Sequence, residues 1–107
     1  MEIVEYLTAD GESPFANWFD VLDPVAAAKV TTGMMRLAAG NTSNIKGVGG
    51  GVLEHRIDFG PGYRIYFARD GETIVVLLAG GTKRRQQTDI ERALLRWQDY
   101  KSRNRRM

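Results

Sequence analysis

The chain has 107 residues, 43% of them apolar, with ten aromatics and no cysteine. This length predicts one domain over residues 1–107, burying roughly two-thirds of its unfolded surface, and the lack of cysteine excludes disulfide frameworks and thiolate metal sites. Net charge is only +2 but lopsided: residues 83–107 carry nine Lys/Arg against three acids, +6, while residues 1–82 carry six against ten, −4.

Residues 2–7, EIVEYL, read as a short strand. Four acids within the first twelve residues argue against a secretory signal, and no apolar run approaches the ~20 residues that cross a membrane. A cytoplasmic location is expected, in keeping with the missing cysteines. Two helix starts follow with one signature. Ser13 precedes Pro14 and Asp23 precedes Pro24, a capping oxygen followed by proline at the first helical position. The first helix, PFANWFDVL, presents Phe15, Trp18, Phe19 and Leu22 on one face. The second, PVAAAKVTTGMMRLAA, presents Val30, Met34 and Leu37, with Gly33 marking close packing against a neighbour. Together they form a helical hairpin. Residues 40–51, GNTSNIKGVGGG, read as a flexible glycine-rich connection; no phosphate-loop pattern is present, although Lys46 can reach a polyanion.

Three strands are then predicted. VLEHRI (52–57) and YRIYFA (63–68) flank the turn DFGPG, and TIVVLLA (73–79) is apolar throughout, as expected of the sheet centre. The last strand ends at Gly80-Gly81. A final helix begins at Thr88, which has capping-box spacing to Glu91, and presents Ile90, Ala93, Leu94 and Trp97 on its apolar face. Residues 98–107 are a basic stretch prone to fray. The element order is β-α-α-β-β-β-α, an α/β (α+β) fold.

Side chains alternate between faces along a strand. A hairpin centred on Gly60 sets Ile57 opposite Tyr63 and Leu53 opposite Phe67, joining the apolar faces, His55 among them. The other face then carries Arg56 opposite Arg64 and Glu54 opposite Tyr66. Two arginines across a ladder repel each other, and a phosphate bound between their guanidinium forks relieves that repulsion. Lys83 and Arg84 add charge at the rim, and Glu54 is placed to take or give a proton. The alternative is a solvated face on which Arg56 pairs with Glu54 or Asp58. One histidine and scattered acids offer no metal-ligand spacing, so neither metal nor cofactor is expected.

At GPGYRIYF (60–67) and LLAGGTKRRQQTDIERAL (77–94) the sequence resembles the RelE/ParE toxin superfamily, and the second segment resembles the HigB-like killer proteins of addiction modules. The likeness extends over the chain and implies a RelE-like fold, with helical hairpin and C-terminal helix packed on a small, mostly antiparallel sheet. It implies the toxin of a type II toxin–antitoxin pair. Such a toxin is a ribosome-dependent mRNA endonuclease that cleaves by 2′-hydroxyl attack without a metal, and so inhibits translation. The resemblance makes Arg64 the contact to the scissile phosphate, with Arg56 and Lys83 as further catalytic cations and Glu54 in a less defined role. Arg84, Arg85, Lys46 and Tyr66 would bind RNA. Partners implied are the ribosome with its message and a cognate antitoxin, a helix-turn-helix DNA-binding protein. Relatives often place a catalytic tyrosine or histidine near the chain end. Here the corresponding stretch, near Asp89-Ile90, has neither, Tyr100 lies too far into the helix to be equated with it, and the general base is unassigned. Two other functions use the same fold: a ParE-like poison of DNA gyrase, and a non-catalytic module that holds an antitoxin.

Overall fold

The computed structural model describes residues 1–104. Its elements are β1 (Glu2–Glu5), α1 (Pro14–Phe19), α2 (Pro24–Ala38), β2 (Ile45–Gly49), β3 (Val52–Ile57), β4 (Tyr63–Asp70), β5 (Ile74–Thr82), a 3-10 turn (Lys83–Arg85) and α3 (Gln86–Asn104). The five strands form one sheet in the order β1-β5-β4-β3-β2, parallel only between β1 and β5. The α1–α2 hairpin covers one face and α3 the other, as a RelE-like fold requires. Among the described residues no helix is long and apolar enough to cross a membrane.

Both hairpin helices start as their sequences dictate. Ser13 Oγ accepts from the Ala16 amide at 3.0 Å and Asp23 Oδ1 from the Ala26 amide at 2.9 Å, each with proline next in line. The apolar stripes meet the sheet: Phe15, Ala26, Val30 and Leu37 pack with Tyr63, Ile65, Phe67, Val75 and Leu77. On the opposite face Ala93 and Trp97 of α3 pack with Tyr6, Val52, Tyr66, Ala68, Val76 and Leu78.

Several expectations change. The glycine-rich connection contains a fifth strand, β2, antiparallel to β3, whose following Gly50-Gly51 turn presses on α3; a Cβ on Gly51 would lie 2.9 Å from Trp97 Nε1. The central strand is β4, and β5 lies one place from the edge against β1. An apolar run reports two covered faces, which both strands have, and not its place in the order. The last helix begins at Gln86 out of the 3-10 turn, so Thr88 lies inside it and caps nothing. The stretch expected to fray is helical as far as Asn104 and tied down. The Tyr6 hydroxyl donates to Asp99 at 2.6 Å, Arg103 pairs with Asp99 and donates to the Leu7 carbonyl, and the Tyr100 hydroxyl donates to Asp70 at 2.7 Å. Residues 105–107 of that stretch lie outside the described residues.

Gly80 and Gly81 do not end β5, which continues to Thr82. They are points of close approach from opposite sides. A Cβ on Gly80 would sit 2.0 Å from the Trp18 ring, and one on Gly81 1.9 Å from Asp89 Oδ2. Glycine in a strand interior weakens the strand unless another group needs the space. Gly80→Ala is therefore expected to displace α1 and lower stability by about 1–3 kcal/mol. Urea unfolding with unchanged m but lower midpoint is the expected readout; a midpoint equal to wild type would show that Trp18 is not seated on this backbone. Gly33 serves the same purpose in α2, where a Cβ would meet Ile57 Cδ1 at 3.1 Å and the His55 ring at 3.2 Å.

Candidate anion-binding site

The β3–β4 register pairs Arg56 with Arg64 and Glu54 with Tyr66. The turn between the strands needs Gly62 at φ +79°, in the left-handed region that glycine tolerates. The Gly62 carbonyl accepts from the Lys83 amide at 2.9 Å, which fixes Lys83 beside Arg64. Arg56, Arg64 and Lys83 line a hollow of about 270 Å3 together with Asn44, Ile57, Asp58 and Gly62.

The hollow is open because the β2–β3 ladder runs out. Ile45 is the last residue of β2 paired with β3, opposite His55, and one further bond, from the Arg56 amide to the Asn44 carbonyl at 3.0 Å, closes it. Beyond this bond, Ile57 and Asp58 have no β2 partner. Asn44 stands at that corner with φ +63°, the one non-glycine residue with positive φ among the described residues. Asparagine visits this conformation at lower cost than most residues.

The arginines differ in setting. Arg56 is exposed and makes no ion pair among the described residues. Arg64 is 7% exposed, and its Nε lies 3.6 Å from Glu54 Oε2. Glu54 is fully buried; the same Oε2 accepts from the Tyr66 hydroxyl at 3.0 Å and from Gln86 Nε2 at 2.7 Å. A carboxylate behind the guanidinium offsets part of the cost of burying it and leaves the outer donors of Arg64 facing the hollow. Burial, followed by the Glu54 charge, raises the Tyr66 pKa well above the usual phenol value. Asp89 is also buried against this layer, and desolvation raises its pKa despite Arg85, Arg92 and Arg96 nearby.

A second depression of about 570 Å3 adjoins the first through Lys83, lined also by Lys46, Arg84, Gln86, Gln87 and Ile90. A third, of about 240 Å3, adjoins it through Asn44, Arg56, Ile57 and Asp58 and lies against α2. Seven lysines and arginines line the three hollows, with Asp58 as the one acid. Five of those seven come from residues 1–82, which are acidic overall.

The residues singled out from sequence thus divide. Arg56, Arg64 and Lys83 share one hollow, and Lys46 and Arg84 the next. Arg85 is exposed and lines neither. Tyr66, expected on the RNA-binding surface, is 0% exposed and tied to Glu54, so it supports the surface from beneath. Glu54, expected as a proton carrier, is equally enclosed and reaches the hollow only through Arg64. Tyr100, bonded to Asp70 at the other end of β4 from Arg64, is no part of the site. His55 faces α2, and burial, then Arg36, lowers its pKa. Sequence reading missed Asn44 and Gln86, and weighed Asp58 only as a partner for Arg56. Asp58 follows directly from the turn, whereas Asn44 and Gln86 are joined to the site by tertiary contacts that no spacing announces.

Much of the C-terminal positive charge is spent on structure. Arg96 Nη1 donates to the Leu78 carbonyl at 2.9 Å, Arg103 pairs with Asp99, and Lys101 lies over the Trp97 ring at 5.4 Å.

Over 82 residues the chain is 42% identical to an uncharacterized protein of Haemophilus influenzae (strain Rd), covering 76% of this chain and 83% of that one. Residues 17–98, a stretch that contains every residue lining the three hollows, match the family described as phage-derived protein Gp49-like (DUF891). The chain belongs to this phage-derived Gp49-like family.

Proposed function

We propose that the protein is the toxin of a toxin–antitoxin pair, HigB-like in its action, that cuts messenger RNA in the ribosome without a metal ion. Its family is related to RelE-like toxins. The observation that carries the reading is the open hollow with Arg56, Arg64 and Lys83 on its walls and a single carboxylate, Asp58, among them. Three cations in one concavity suit the charge that develops on a phosphate under attack.

In this reading Arg64 and Arg56 grip the scissile phosphate. The neighbouring 2′-hydroxyl attacks phosphorus and its proton passes to Asp58. The bond to the 5′-oxygen breaks, and the Lys83 ammonium hands that oxygen a proton, leaving a 2′,3′-cyclic phosphate and a 5′-hydroxyl. Glu54 touches no substrate and acts as a positioning residue for Arg64. The second hollow continues the basic surface past Lys83 and gives the strand a track beyond the reacting phosphate.

The test is a cell-free translation reaction with purified protein and mapping of message ends. New ends within translated codons are the expected result. Intact message, with relaxed plasmid DNA accumulating in a gyrase assay, would replace this reading with the ParE-like one; no effect in either would leave a binding module. Asp58→Asn separates catalysis from charge. As proton acceptor, Asp58 should support about 100-fold of the rate, while its loss should leave RNA binding equal or tighter, since a negative charge has left the track. Cleavage undiminished in Asp58→Asn would remove Asp58 from the mechanism.

A further inference from the structure

The hollow between α2 and β3 takes no part in the reaction just described, yet its walls are cationic. Lys29 and Arg36 reach it from α2 and Arg56 from the end of β3. Lys29 and Arg36 are exposed, and neither makes an ion pair among the described residues. Lys29 Nζ is held 5.1 Å from the centroid of the Phe59 ring, which keeps the ammonium at the rim. At the base lies the His55 ring, 2% exposed, with its Cδ2–Nε2 edge toward Gly33 of α2. Gly33 lets α2 lie against the His55 ring, which forms the floor of the hollow.

Arg56 and Asn44 line both this hollow and the one that contains Arg64. A strand leaving Arg64 around the end of β3 passes Arg56 and arrives between Lys29 and Arg36. We propose that this hollow is a second phosphate subsite, which holds the next linkage of the RNA strand whose scissile phosphate sits at Arg64. The subsite rests on the RNA-binding reading of the first hollow and deepens it. It makes the protein a reader of strand length: a dinucleotide fills only the Arg64 hollow, whereas a longer strand also engages Lys29 and Arg36. Repeated charge along a backbone matches a row of cationic hollows better than any single anion does.

The chain has one histidine, so its ring signals in an NMR spectrum are unambiguous. The experiment titrates the full chain with 2′-O-methyl oligoribonucleotides, which cannot be cleaved, of two and of four nucleotides. The dinucleotide should move the Arg64 side-chain signal and leave His55 in place; the tetranucleotide should move both. In Lys29→Ala and Arg36→Ala the advantage of the tetranucleotide over the dinucleotide should fall about tenfold, the worth of one charged hydrogen bond, and the salt dependence should lose about one phosphate contact. Arg69→Ala, an exposed cation outside all three hollows, is the control.

A tetranucleotide that moves Arg64 but not His55 overturns the subsite and leaves the first reading standing. One that moves His55 but not Arg64 overturns both, because the subsite is defined by a neighbouring phosphate held at Arg64. Silence at both sinks both. Inorganic phosphate that shifts His55 as tightly as the tetranucleotide, or an acidic peptide that does so, overturns the assignment to an RNA strand.

Discussion

Replacing Arg64 by alanine is expected to cut message cleavage at least tenfold and on the order of a hundredfold, the scale of losing one preorganised donor to a developing oxyanion. Arg64 is the one cation of the hollow that is both nearly buried and backed by a carboxylate. Its donors are therefore held in place before substrate arrives, and a fixed donor stabilises a transition state more than a mobile one. Arg56 lines the same hollow from an exposed position with no partner, and Arg56→Ala should act mainly by weakening binding. Arg64→Lys should recover little, because an ammonium presents neither the fork nor an Nε to Glu54. Arg64→Ala also leaves Glu54 without its cation, so cleavage must be compared well below the midpoint of each variant's thermal transition. Full activity in a folded Arg64→Ala protein would sink the mechanism.

The register that brings Arg56 opposite Arg64 was legible because matching the apolar faces of VLEHRI and YRIYF permits little else. The helix starts at Pro14 and Pro24 were legible because cap and proline are local. What was hidden depends on neighbours. β2 reads IKGVG, with two glycines and three exposed residues in five, so neither alternation nor propensity declares a strand at the sheet edge. The Gly80-Gly81 pair looks like punctuation and is in fact space for Trp18 and Asp89. Charge misled in a similar way. The C-terminal bias pointed to Arg85 and the basic tail, yet Arg96, Lys101 and Arg103 serve the helix's own packing. The hollows instead draw Lys29, Arg36, Lys46, Arg56 and Arg64 from a segment whose net charge is negative. A sum over sequence cannot register which cations the fold gathers at one edge.

Glu54 tests how the buried layer and the surface are coupled. Glu54→Ala removes the acceptor shared by Tyr66 and Gln86 and strands Arg64 with no carboxylate, all at a site with no exposure. Breaking a buried pair from one side costs about 3–5 kcal/mol, which for a domain of this size lowers the melting temperature by roughly 10–25 °C. Glu54→Gln keeps an oxygen for Tyr66 and should fall between the two. The double variant Glu54→Ala/Arg64→Ala should be less destabilised than the sum of the singles, because removing both charges leaves none unpaired. Additive losses would show that the 3.6 Å approach carries no coupling. Cleavage by Glu54→Gln then decides what the carboxylate does. A group that moves a proton cannot be replaced by an amide, and its loss would abolish turnover and one limb of the pH–rate profile. A group that only holds Arg64 should leave the profile's shape intact while turnover drops in step with the lost order of the guanidinium. The second outcome is expected, since the only path from Glu54 to the hollow runs through Arg64.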